Sequence, residues 1–149
     1  MMNELNFNSR IVGGYQAWRP IPWQVRVGGR CGGTILDEYT ILTAAHCNIM
    51  SNEYILAGAL SLQSSLGLDP KPQYIQVKNN ITHYNYKGYE YGYDMSILKL
   101  REPLIFNNHV KPACLPKSEN FGVGDFAFAL ASGWGKNGKI LIIPFQKLS

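Results

Sequence analysis

Six short runs of strand-forming residues, each closed by turn chemistry, constrain this 149-residue chain more than anything else in it. They span residues 23–27 (WQVRV), 31–36 (CGGTIL), 39–44 (YTILTA), 53–57 (EYILA), 74–78 (YIQVK) and 95–100 (MSILKL). Several alternate apolar and polar side chains, the period that buries one face of a strand and wets the other. Gly28-Gly29, Asp37-Glu38 and Gly58 supply corners between runs. Strands this short, at this spacing, leave open sheet edges unless the sheet closes on itself. The expected fold class is therefore all-β, an antiparallel six-stranded barrel. The one helical candidate is a single turn near residues 44–48.

Composition narrows the function. Hydrophobic residues make up 46% of the chain and charged residues 16%, enough for a core and too little charge for disorder. The formal charge of +4 is scattered, with no run of Lys or Arg. Nucleic-acid binding needs a basic stripe or tail, and membrane-surface binding a basic amphipathic helix. Both partner classes are set aside. No apolar stretch reaches transmembrane length.

Beyond the six runs the pattern changes. Residues 101–122 carry Pro103, Pro112 and Pro116 and read as an extended connector. Residues 125–132 form an apolar run before a Gly133-Trp134-Gly135 turn, with no partner strands of their own in view. Residues 136–149 hold one more run, ILIIPF, broken by Pro144. A second domain starts and stops after one or two strands, so residues 125–149 are expected to be poorly anchored.

The chemistry centres on LTAAHC, residues 42–47. Two alanines let the backbone turn pack closely before His46. Cys47 could pin that turn to Cys31, a bridge contributing roughly 3 kcal/mol; in a reducing compartment the same thiols would simply be buried. His46 itself reads either as a satisfied turn histidine or as a base. Three isolated cysteines (Cys31, Cys47, Cys114) and three isolated histidines (His46, His83, His109) lack the paired spacing of a zinc site, so no metal is expected. Asp94, at the mouth of the 95–100 run, is either a solvated cap or the partner that fixes a histidine's tautomer in general-base chemistry.

Seven motifs then occur in order: RIVGG at 10–14, PWQV at 22–25, CGGTIL at 31–36, LTAAHC at 42–47, DMSILKL at 94–100, VKPACLP at 110–116 and SGWG at 132–135. In this order and spacing the chain resembles the trypsin/chymotrypsin family of serine endopeptidases. The resemblance implies a trypsin-like barrel with an incomplete second barrel. It divides the chain into a leader or propeptide remnant (1–10), a first barrel (11–112), a connector with the second barrel's first strand (113–135) and a divergent tail (136–149). It implies His46 as general base, Asp94 as its orienting acid and a Cys31–Cys47 disulfide. It also implies a zymogen activated at Arg10–Ile11, and a secreted protein acting on polypeptides or held by protein inhibitors. Asn80-Ile81-Thr82 matches the N-glycosylation acceptor pattern.

The departures limit what these residues can do. They contain no GDSGG-like segment, and the one serine after Gly135 is Ser149. Nucleophile, oxyanion hole and specificity pocket are thus outside the 149 residues. Cys114 has no leader cysteine to pair with and is expected to be unpaired. The loop after Gly58 offers Asp69 alone before Gln73, so no calcium or other cofactor is expected. MMNELNFNSR is too short and polar for a signal peptide. The chain reads as a fragment of a serine endopeptidase, inactive alone. The alternative is a non-catalytic half-protease that binds an inhibitor or partner, or self-associates through an exposed inter-barrel face.

Overall fold

The computed structural model of the chain describes residues 15–61, 71–117, 128–134 and 140–146. Nine strands are found among these described residues: β1 (Tyr15–Gln16), β2 (Gln24–Val27), β3 (Cys31–Asp37), β4 (Thr40–Thr43), β5 (Tyr54–Ala57), β6 (Gln73–Thr82), β7 (Ser96–Leu100), β8 (Phe128–Trp134) and β9 (Ile140–Gln146). Six of them close into a barrel in the order β2-β3-β4-β7-β6-β5, and every neighbouring pair is antiparallel. These are the six runs read from the sequence.

Alternation builds the barrel's interior. In β7, Ser96, Leu98 and Leu100 are buried while Ile97 and Lys99 between them are not. Val25, Val27, Ile35, Ile41, Ile55, Val77 and Leu98 have no exposed surface and form the core. The side chains of Ile35, Ile41 and Ile55 are β-branched, which suits a pleated, crowded surface. Gly33 is required by this crowding. A Cβ there would lie 2.8 Å from a methyl of Ile41 and 2.9 Å from one of Val27. The β3–β4 corner is fixed by Asp37, whose Oδ1 accepts the Tyr39 N–H at 2.8 Å.

Two sequence expectations need correction. The fifth barrel run ends on paper at residue 78, yet β6 continues to Thr82. A bulge between Val77 and Asn79 absorbs one residue and lets the polar Asn79–Thr82 end pair with β7. Secondly, the apolar run at 125–132 does have partners. Its described part lies in β8, which pairs with β9 from Phe128↔Gln146 to Trp134↔Ile140, and β9 pairs with β1. The result is a three-stranded sheet in the order β1-β9-β8. Pro144 lies in β9 past Leu141 and Ile142, the residues with which β1 pairs among the described residues.

The sheet is tied to the barrel at two places. Gln24 on β2 donates through Nε2 to the Ser132 carbonyl at 2.9 Å, and the Ser132 hydroxyl donates to Gln24 Oε1 at 2.6 Å. A small apolar cluster joins buried Ala17 and Ile21 to Leu60 and to Trp134 of β8.

Candidate active site

Strand pairing alone brings His46 and Asp94 together. Strands β4 and β7 run antiparallel, with Thr43 opposite Ser96. His46 lies three residues past Thr43 and Asp94 two residues before Ser96. The exit of one strand and the start of its neighbour therefore share one end of the barrel. The chain after β4 turns at once into a single 3-10 turn, Ala45–Cys47. Ala44 is extended before the turn, and Asn48 closes it in the left-handed conformation, its N–H bonded to the Ala45 carbonyl. Ala45 and Cys47 are buried and His46 points outward between them.

Asp94 grips the turn twice. Its Oδ1 accepts the backbone N–H of His46 at 2.8 Å, and its Oδ2 lies 2.6 Å from His46 Nδ1. These hydrogen bonds, the one to the ring first, hold the Asp94 carboxyl below its usual range, outweighing a smaller desolvation effect. An ionised carboxylate only accepts, so Nδ1 carries the ring proton and Nε2 of the neutral imidazole is left with a lone pair. The His46 side chain is 54% exposed and that of Asp94 26%. The pair is therefore open on the histidine side. Beside it, a cleft of about 510 Å³ is lined by Asp94, Gln24, Gly33, Thr43 and Ser132 among others.

Cys31 and Cys47 form a disulfide across 16 residues of sequence, next to His46. The sulfurs and a His46 nitrogen lie within 4.8 Å of one another. Sulfurs bonded to each other offer no thiolate, so this cluster is not a metal site while the bridge is intact. Cys114 is exposed and in no disulfide. Arg10 and Ile11 lie outside the described residues. Asn80 is not in a free loop but within β6, opposite Leu98. Its Nδ2 donates to the Ile49 carbonyl at 2.8 Å and its Oδ1 accepts from the Ser96 hydroxyl.

Sequence reading missed Arg30 and Glu53. They form an ion pair at 2.6 Å, and Arg30 also reaches the backbone just past His46. No motif marks them. The one available signal is that Arg30 precedes the bridged Cys31, and it does not say where the side chain goes.

Comparison with known proteins agrees with this geometry. The family profile described as Trypsin matches residues 11–144. Coagulation factor IX of Oryctolagus cuniculus is 34% identical over 143 residues, covering 86% of this chain and 49% of that protein. The chain thus spans about half the length of this curated relative. A closed six-stranded antiparallel barrel, a Cys31–Cys47 bridge and a profile match over most of the sequence agree: the chain belongs to the trypsin family.

Proposed function

We propose that these residues are the base-bearing part of a secreted serine-type endopeptidase, with His46 as general base and Asp94 as its orienting acid. The observation that carries this reading is the double bond of Asp94 to the His46 backbone and ring. It fixes the tautomer that the chemistry needs. Nε2 would take the proton of a serine hydroxyl as its oxygen attacks a peptide carbonyl. The imidazolium so formed, steadied by Asp94, would return the proton to the departing amine. The disulfide beside the site supports an extracellular setting. Activation by cleavage at Arg10–Ile11 belongs to the same proposal, as do polypeptide substrates and protein inhibitors.

The serine and its oxyanion donors are not among these 149 residues. Members of a triad act as a unit. The purified 149-residue chain should therefore show no labelling by a fluorophosphonate probe. A native product extended in frame to a glycine-flanked serine should be labelled at that serine. Labelling there should collapse in the His46→Ala variant. Serine labelling of the 149-residue chain would overturn the claim that it is inactive alone. Full labelling of the extended His46→Ala variant would remove His46 from the base role.

A further inference from the structure

The segment that leaves His46 makes no regular secondary structure, yet side chains from the β2–β3 turn and from β6 hold its carbonyl groups. Arg30 Nε donates to the Cys47 carbonyl at 3.2 Å and Arg30 Nη2 to the Asn48 carbonyl at 3.0 Å. Asn80 holds the Ile49 carbonyl at 2.8 Å and Gln76 the Asn52 carbonyl at 3.2 Å. Glu53 then orients the guanidinium. Its Oε1 accepts from Arg30 Nη1 at 2.6 Å and its Oε2 from Nη2 at 3.1 Å, a two-pronged ion pair. The same Oε2 accepts the Met50 N–H at 2.7 Å. One arginine thus binds two consecutive carbonyls directly after His46, while its own orientation is set by a carboxylate from the far end of the segment.

We infer that Arg30, oriented by Glu53, is a positioning residue that fixes the His46 turn in parallel with the Cys31–Cys47 disulfide. Arg30 and Cys31 are consecutive on the same side of the turn. One residue holds Cys47 by its sulfur and the other by its carbonyl. Two restraints from one strand end on one residue give redundancy: either keeps Cys47, and so His46, within reach of Asp94. The arrangement needs the arginine fork. A lysine has the charge but cannot present three separately aimed N–H groups in one plane. The Arg30–Glu53 pair is partly exposed, so as an ion pair alone it would contribute little. Its effect lies in where the guanidinium is held.

This inference concerns the placement of His46 and stands apart from whether His46 acts as a base. The test uses four forms of the full chain: wild type, Arg30→Met, Cys31→Ala with Cys47→Ala, and all three substitutions together. Two quantities are read by NMR. One is the low-field Nδ1 proton of His46 bonded to Asp94, and the other is exchange of the His46 amide proton. The first three forms should keep the low-field signal. The combined form should lose it, with His46 amide exchange faster by at least about tenfold than in either parent, the scale of losing a charge-assisted hydrogen bond. Arg30→Lys in the bridge-free background should behave as Arg30→Met, and Glu53→Gln should shift exchange in the same direction. The Leu98 amide reports global opening. Several results would overturn the inference: loss of the signal in the bridge-free form with Arg30 intact, loss in Arg30→Met alone, or its survival in the combined form. So would His46 exchange that tracks Leu98 in every form.

Discussion

The barrel and the three-stranded sheet use similar strands and differ in how they finish. In the barrel each strand has a neighbour on both sides, and side chains at its centre such as Val25, Ile41 and Leu98 have no exposed surface. Among the described residues of the sheet only β9 has two neighbours, and one of them, β1, is two residues long. The barrel's stability comes from closure and burial. The sheet depends on the β8–β9 ladder and on its attachment to β2 through Gln24 and Ser132. The difference also separates the proposed chemistry. His46 and Asp94 belong to the closed part, so their geometry does not wait on the sheet.

The largest expected effect is in the barrel's centre. Leu98 is fully buried on β7, which pairs with both β4 and β6. Leu98→Ala should cost about 2–5 kcal/mol in a urea unfolding titration, from lost transfer energy and a cavity that closed walls cannot fill. It should also loosen His46, because β4 and β7 set the distance to Asp94. A cost below about 1 kcal/mol, well under the range for such truncations, would show that the barrel relaxes as readily as an open sheet.

The second effect tests whether the sheet is a dependent layer. Gln24→Met removes both bonds to Ser132 and leaves its hydroxyl and carbonyl without that partner. Unsatisfied groups of this kind cost about 1–3 kcal/mol. The loss should be local. Amide exchange across Phe128–Trp134 should quicken while Leu98 and Ile41 keep their protection. In the wild type, residues 128–134 should be protected, though less than the barrel. Equal acceleration in both regions would mean that they unfold as one unit.

What was legible in the sequence follows the same division. Barrel strands carry period-two burial with turn residues between them, so the six runs and their corners could be read from Val25 to Leu100, while the β4–β7 and β2–β5 pairings could not. His46 and Asp94 were legible because each sits in a distinctive motif at a strand end. The β8 partner was not legible. Strand β9 contains a proline, and its other neighbour, β1, is about the length of the chain away at Tyr15–Gln16. Period and propensity are local quantities and carry no register over that distance. The end of β6 was hidden for a different reason: Lys78-Asn79-Asn80 has loop composition, and only the bulge makes it strand. Arg30 and Glu53 were invisible because Arg30 spends most of its donors on backbone carbonyls and Glu53 accepts from Arg30 and a backbone N–H, contacts that leave no mark on residue type.

The smallest effect on stability is the most specific for the site. Asp94 has its carboxyl lowered by the bonds from His46. A group depressed in the folded state adds stability above its unfolded value of about 3.9 and loses it as pH falls through the folded value. The low-field His46 proton should therefore persist from neutral pH down past about pH 4 and vanish only below that. Asp94→Asn should act without acid and with little change in the unfolding midpoint. The carboxylate uses one oxygen for the His46 N–H and the other for the ring. An amide has a single oxygen. If that oxygen keeps the backbone N–H, its NH₂ faces Nδ1, which must then accept, and the ring proton moves to Nε2. Ring ¹⁵N shifts at pH 7 should show this exchange of tautomers. The atom needed as a base would then be blocked by its own proton while the barrel stays folded. An unchanged tautomer would mean that the turn, held by the disulfide and Arg30, sets the ring without Asp94.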